Sequence, residues 1–285
     1  MIKITKYFFE ASVIYIFFLI SKIIGLSLSR IFFSFIFKLI GPQIRSKKII
    51  YENLSKFSKT LSKSNKKKII NNMWSNYGMT FVEYVFLNKF RKENSHIDIQ
   101  GEEILKDISK NNKPVIFVSG HFANFELMSM EITKRNINLA TIYRPLNNFF
   151  LNPFMEYLRR KYICKNQIKK GRQGVREAMN YINRKYSIAL MIDQRVSEGK
   201  KIKFFNNPAY TTTLPAQLAL KYNLKIVPIS IERKSNNFFK MQVVEPIQVL
   251  KFKDKFELTK RLNNELEKMI IKNPDQWIWT HNRWK

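Results

Sequence analysis

The chain opens on an apolar stretch broken by single basic residues. Residues 11–21 carry no charge, Lys22 interrupts, residues 23–29 are apolar or small, Arg30 interrupts again, and residues 31–37 are apolar up to Lys38. No uninterrupted run reaches the roughly 20 residues that a straight bilayer crossing needs. Three arrangements are open. A helix over about residues 8–29 spans a bilayer with Lys22 snorkelling near one end. One or two helices lie in the interface, with Lys22, Arg30 and Lys38 reaching headgroups. A helix is buried in a protein core. Membrane association is the expectation. A cleaved signal peptide is not expected, because the apolar stretch continues past any small-residue cleavage site.

Beyond this segment the pattern turns helical and then alternates. Residues 46–92 carry apolar positions at Ile49, Ile50, Leu54, Phe57, Leu61, Ile69, Ile70, Met73 and Trp74, and the run continues through Phe81 to Leu87. This is the spacing of helices with one buried face. Short apolar, β-branched runs then predict strands over residues 115–119, 139–143, 188–192, 226–232 and 239–244. Helical patterns lie over 126–134, 149–161, from about 174 to 184, 213–222 and 255–272. Alternation of this kind predicts an α/β fold with a mixed sheet covered by helices. No repeat or low-complexity linker divides it. The expected organisation is a membrane-anchoring helical segment over residues 1–42 and one catalytic domain over 43–285.

Chemistry concentrates after the first strong strand, in Val115-Ile-Phe-Val-Ser-Gly-His-Phe-Ala-Asn-Phe-Glu126. His121 stands where a buried strand hands over to a helix, and ligands in open α/β folds gather at the carboxyl ends of strands. With Glu126 in the first helical turn, its carboxylate can fold back, fix the imidazole tautomer and leave the other ring nitrogen free to take a proton. A plain surface or core pair is the competing reading. Arg144 and Asp193 also follow predicted strands and so share the rim with His121. Ser119 lacks the Gly-x-Ser-x-Gly turn of a nucleophile. His96, His121 and His281 have no metal-ligand spacing, and no metal or cofactor is expected. Trp277, Trp279 and Trp284 suit either an interfacial anchor or a packed cluster.

Charge changes the picture in one respect. The formal net charge is +30, and such an excess points to an anionic partner. The basic residues are spread along the chain, without zinc-binding spacing or an aromatic RNA-binding signature, so an anionic membrane surface is expected and nucleic acid is not. The single cysteine, Cys164, excludes an internal disulfide and reads as a buried, neutral thiol.

The His-x4-Glu spacing, His121-Phe-Ala-Asn-Phe-Glu126, resembles the signature of the bacterial lipid A biosynthesis (lauroyl/myristoyl) acyltransferases, within the wider His-x4-Asp/Glu acyltransferase group. Further blocks similar to that family follow in order over most of residues 45–285. They are Asn53-Leu54, Gly101-Glu102-Glu103, Tyr143-Arg144-Pro145, Asn147-Asn148, Asp193-Gln194, Phe204-Phe205 with Pro208-Ala209 and Thr211, and Trp279 with Arg283. Asn206 stands where the family usually has Gly, and Ala123 and Phe125 replace its Gly and Trp. The resemblance implies a glycerolipid-acyltransferase-like fold and acyl transfer from an acyl carrier protein thioester to a hydroxyl of a phosphorylated lipid A precursor. It implies His121 as general base oriented by Glu126. Arg144 and Asn124 are then candidates for the oxyanion or a substrate phosphate, and Asp193, Gln194 and Asn148 for substrate binding. Because the carrier is cytosolic, the resemblance places the catalytic domain at the bacterial inner membrane, facing the cytoplasm. Another lipid acceptor, or a non-catalytic basic protein binding membrane or nucleic acid, are the rival readings.

Overall fold

The structure, a computed structural model, describes residues 2–235 and 238–285. Its frame is a seven-stranded sheet. The strands are β1 (Ile97–Gln100), β2 (Ile116–Ser119), β3 (Leu139–Tyr143), β4 (Asn166–Lys169), β5 (Ser187–Met191), β8 (Ile226–Arg233) and β9 (Phe239–Val243), in the order β1-β9-β8-β2-β5-β3-β4. From β4 to β8 neighbours run parallel; β9 turns back antiparallel to β8, and β1 pairs parallel with β9. A separate antiparallel hairpin joins β6 (Lys200–Phe204) to β7 (Asn207–Thr211). β2 is buried at all four positions, as expected for a parallel strand covered on both faces, whereas β9 alternates buried and half-buried residues.

Helices α5 (Glu102–Asn111), α6 (Glu126–Lys134), α8 (Arg172–Asn183), α9 (Leu214–Tyr222) and α10 (Lys255–Lys272) cover the sheet. α10 shows how the sequence sets this up. Asp254 caps its first turn by accepting from the backbone N–H of Phe256 and Glu257, and Leu258, Leu262, Leu266 and Ile270 form one buried stripe at helical spacing. Asn263 on the same helix holds the β6–β7 hairpin through the carbonyl of Lys203.

The five strands expected from apolar runs are present. β1, β4, β6 and β7 were not expected from the pattern, and each carries polar or charged positions, as in Asn166-Gln-Ile-Lys169 and Lys200-Lys-Ile-Lys-Phe204. The helix expected over 149–161 is regular only across α7 (Asn152–Leu158) and continues as a π-helical turn, Arg159–Ile163. α2 (Lys47–Phe57), α3 (Lys63–Glu83) and the short α4 (Leu87–Lys92) fill the helical region before the sheet.

The amino-terminal apolar segment is not one straight helix. α1 (Ile2–Ile44) reverses at Gly25, whose φ of 81° and ψ of 169° suit a residue without Cβ. The rings of Phe17 and Phe33 lie 5.3 Å apart, where a straight helix would separate them by about 24 Å. Ser29 likewise donates to the carbonyl of Ser21. A continuous span over residues 8–29 is therefore not formed, because it would run through the reversal. The hairpin packs along α3, so closely at Gly78 that a Cβ there would meet the carbonyl oxygen of Phe33 at 2.1 Å. Its outer face stays apolar and open: Phe9, Ile23 and Phe35 are 64%, 76% and 65% exposed. Arg30 does not reach headgroups. It is buried against the carboxylate of Glu83, which Arg233 holds from the other side. A charge removed from water needs such a partner, and Glu83 is fully buried between the two guanidinium groups.

Candidate active site

Strand register brings the chemistry together. Ser119 of β2 pairs with Met191 of β5, so two residues further on His121 and Asp193 stand side by side. The same reasoning on β3 and β4, where Tyr143 pairs with Lys169, puts Arg144 and Lys170 on that rim. The rim borders a cleft of about 530 Å³ whose lining includes His121, Phe125, Glu126, Arg144, Arg159, Gln194 and His281.

Asp193 fixes His121. Its Oδ1 lies 2.8 Å from the imidazole Nδ1, and its Oδ2 accepts from the backbone N–H of His121 at 2.8 Å and from the Trp277 indole at 2.9 Å. Burial alone would raise this carboxyl, but the charge and hydrogen bonds of His121 hold it well below the usual carboxylate range. An ionised carboxylate only accepts, so Nδ1 must donate to it, and in the neutral imidazole this leaves Nε2 as the acceptor. Glu126 does not take this role. Its Oε1 accepts from the Tyr84 hydroxyl and from Arg159 Nε, both at 2.7 Å. The Phe125 ring packs edge-on to His121, with centroids 4.7 Å apart. The loop accounts for the difference. Ala123 adopts φ 41° and hydrogen-bonds to the carbonyl of Gln276, and Phe122 bridges to Trp277, so α6 starts turned toward Tyr84 and the π-turn arginine. The Tyr84 hydroxyl is pushed up by burial and by the Glu126 charge beside it.

Two other expected ligand-facing residues are structural. Asn124 is buried and donates to Glu83 Oε2 at 2.9 Å, while Thr80 donates to the carbonyl of Ala123, so α3 props the motif loop from below. Asn148 is buried too. Its amide donates to the carbonyl of Tyr7, and its Oδ1 accepts from the backbone N–H of Phe150 and Leu151, which clamps the 145–151 loop to the hairpin. Trp277, Trp279 and Trp284 form a packed cluster with Phe204, not an interfacial anchor. Cys164 is buried, and burial pushes its thiol up to about 11.

Gln194 does face the cleft. Its Nε2 lies 3.3 Å from His121 Nε2 and 2.9 Å from His281 Nε2. Burial draws the His281 imidazole down to about 4, so it is neutral at physiological pH. Arg144 is exposed at the rim, with Arg45 and Lys170 also lining the cleft, and none of the three forms an ion pair among the described residues. Arg159, Tyr84 and Glu83 are not singled out by the pattern, and nothing in it ties Trp277 or His281 to this cleft. Glu83 had the clearest signal, a lone acid within Thr80-Phe-Val-Glu-Tyr-Val-Phe-Leu87.

The chain is 22% identical over 247 residues to the lipid A biosynthesis myristoyltransferase of Escherichia coli, covering 84% of this chain and 75% of the relative. It is 24% identical over 195 residues to a lipid A biosynthesis acyltransferase of Haemophilus influenzae, covering 66% of this chain but only 60% of that relative's length. A solved structure, the 1-acyl-sn-glycerophosphate acyltransferase of Thermotoga maritima, aligns over 89% of this chain and 100% of its own, at 14% identity and a TM-score of 0.42. The family model described as bacterial lipid A biosynthesis acyltransferase matches residues 1–285, end to end, and the chain belongs to that family.

Proposed function

We propose that the protein is a membrane-bound O-acyltransferase that moves a fatty acyl group from an acyl carrier protein thioester to a hydroxyl of a phosphorylated lipid A precursor. Family membership makes it an acyltransferase of lipid A biosynthesis with a lipid acceptor; donor, acceptor hydroxyl and mechanism are the proposal.

The observation that carries the mechanism is the hydrogen bond of His121 Nδ1 to Asp193, which fixes the ring at the cleft and frees Nε2 to act as the acceptor in the neutral imidazole. A hydroxyl is a poor nucleophile near neutral pH, and a positioned base typically contributes about 10²–10⁴ in rate. His121 Nε2 takes the acceptor proton as the hydroxyl oxygen attacks the thioester carbonyl carbon. The tetrahedral intermediate collapses by breaking the C–S bond, and the departing thiolate takes the proton back from His121. No covalent acyl-enzyme is required. Arg144, at the same strand rim, is the candidate donor to the oxyanion, where such donors are worth roughly 3–4 kcal/mol each, or to an acceptor phosphate. Glu126 enters as the charge that fixes Arg159 in the wall of the cleft.

The open apolar face of the hairpin supports seating on a lipid surface. Lys3, Lys6 and Lys38 on the same segment suit anionic headgroups, each worth about 1 kcal/mol near the surface. A cytosolic acyl carrier protein would require the cleft to face the cytoplasm at the inner membrane. Lipid extracts from a bacterium lacking its own enzyme of this family test the proposal. Expression of the chain should add one acyl chain to lipid A by mass, and His121→Ala should not. An altered phospholipid pattern with unchanged lipid A would instead assign another acceptor.

A further inference from the structure

The loop from β3 to α7, Arg144-Pro-Leu-Asn-Asn-Phe-Phe-Leu151, carries apolar side chains that the fold leaves outside. Leu146 is 40% and Phe149 50% exposed, although Asn148 and Leu151 of the same loop are buried. The exposed ring is not isolated. Phe149 packs on Tyr7, with centroids 5.9 Å apart, and on Phe150 at 4.4 Å, and Phe150 packs in turn on Phe8 at 5.7 Å. Phe8 is itself exposed, on the first arm of the hairpin. The apolar face of the hairpin therefore continues onto the loop. A contiguous exposed apolar surface of this kind marks an interaction site.

The loop is held firmly to the hairpin. The Tyr15 hydroxyl donates to the carbonyl of Phe150 at 2.9 Å, beside the bond from Asn148 to the carbonyl of Tyr7. Several of its amides are satisfied locally. Pro145 has no N–H, the N–H of Leu146 donates to Asn152 Oδ1 at 2.8 Å, and those of Phe150 and Leu151 donate to Asn148 Oδ1. Backbone groups need such partners before a segment can leave water. Lysines border the patch. Lys3 Nζ lies 5.6 Å from the centre of the Tyr7 ring, and Lys161 Nζ lies 5.1 Å from that of Tyr157, an exposed residue of α7. A lysine beside an aromatic ring suits the headgroup level of a bilayer, with the ring toward the tails and the ammonium toward the phosphates. On the loop's inner side, Arg144, Pro145, Leu146 and Asn147 line the cleft that holds His121.

We propose that this loop is a second bilayer-contacting element, inserted beside the hairpin at the boundary of headgroups and acyl chains, so that the cleft opens directly onto the membrane. The partner is an anionic lipid bilayer: the apolar patch continues that of the hairpin, its border is basic, and the chain carries a net charge of +30. A segment seated in this way reaches roughly 5–10 Å into the lipid. Leu146 belongs to both surfaces, exposed on one side and lining the cleft on the other. A lipid acceptor then passes its headgroup over Leu146 and Arg144 toward His121 while its acyl chains stay in apolar surroundings. The loop is the lip of that passage.

This inference rests on the membrane-seated acyl-transfer reading, and a label readout that needs no turnover keeps the two separable. Cys164 is the chain's single cysteine and is buried, so a cysteine introduced at an exposed position takes a thiol-reactive NBD fluorophore selectively. Phe149→Cys, Ile23→Cys beside the hairpin reversal, and Leu250→Cys would each be labelled in the full-length protein. Leu250 is 79% exposed but lies on the helical turn Val249–Lys251, which packs against α9. The labelled proteins would be reconstituted with vesicles of phosphatidylethanolamine and phosphatidylglycerol containing lipids with a nitroxide on the acyl chain. Quenching at Ile23 and at Phe149 should each exceed that at Leu250 by about threefold or more. Quenching at Ile23 with none at Phe149 would overturn the proposal and leave the seating of the hairpin intact. No quenching at any position would overturn the membrane seating as well. Equal quenching at all three would show adsorption of the dye and deny the loop a place of its own. A Phe149 label shielded from water yet unquenched would put a protein surface, such as a second copy of the chain, over the loop and would also overturn the proposal. In the transfer assay, Phe149→Asp should raise the KM for an acceptor held in vesicles by about tenfold relative to the same acceptor dispersed in detergent. An unchanged ratio in a folded variant would overturn the role of the loop as the lip of the cleft.

Discussion

Replacing Asp193 by Asn changes one atom and should silence the site. The carboxylate accepts three N–H groups, two at Oδ2 and one at Oδ1. An amide has one oxygen to offer. The two donors at Oδ2, the His121 backbone and the buried Trp277 indole, are fixed in place, so the amide oxygen belongs there and its NH₂ faces His121 Nδ1. Two donors cannot bond, and the ring proton moves to Nε2, the atom that must accept the hydroxyl proton. The wrong tautomer of a catalytic histidine costs about 10⁴ in kcat in the best-studied triad, or ~5.4 kcal/mol of barrier. Folding loses a charge-assisted hydrogen bond, about 1.5–3 kcal/mol, so the variant should remain foldable. Single-turnover transfer at saturating acceptor isolates the chemical step, and circular dichroism checks the fold. A folded Asp193→Asn protein within tenfold of the parent rate would refute the assignment of Asp193 as the orienting carboxylate.

Three further outcomes follow from packing and charge. Glu126→Leu leaves the Arg159 guanidinium enclosed without its carboxylate and should cost about 3–5 kcal/mol in urea unfolding. Adding Arg159→Met should recover most of that loss, and an equally unstable double variant would contradict the pairing. Gly78→Ala forces the hairpin off α3, because the new Cβ falls on the Phe33 carbonyl, and should destabilise by about 1–3 kcal/mol; an unchanged urea midpoint would show that the two do not pack this closely. Burial holds the folded His281 imidazole down to about 4 against about 6.5 for a free side chain, so the unfolded chain binds more protons between those values. Stability is therefore complete above pH 6.5 and falls as pH drops, by about 3 kcal/mol at pH 4 from this group alone. His281→Gln should be less acid-sensitive than the parent by that difference, and parallel losses in both proteins would contradict it.

The sequence made the frame legible where burial is strong. Val115 to Ser119 and Ile188 to Ile192 read as strands because both faces are covered, and His121, Asp193 and Arg144 stood out by following such strands. The edge strand Asn166–Lys169 and the hairpin strand Lys200–Phe204 carried too much polarity to register. The partner of His121 differs between pattern and structure for a definite reason. Sequence proximity favoured Glu126, whereas the His121–Asp193 contact spans 72 positions and depends on the register of β2 with β5. Asn124 and Asn148 lay in the right blocks, but a block does not say whether an amide faces the cleft or props a loop. The reversal at Gly25 was equally hidden, since apolar composition is the same in a straight helix and a folded one. Arg30 looked like a headgroup contact because its partner, Glu83, lies 53 residues away.

The most direct test of the central claim is transfer in a defined system. Detergent-solubilised protein would be incubated with an acyl carrier protein thioester and a phosphorylated tetra-acyl lipid A precursor, with product mass read beside His121→Ala. The account predicts a gain of one acyl group in the parent and none above background in the variant. Equal acylation by a folded His121→Ala protein would contradict it.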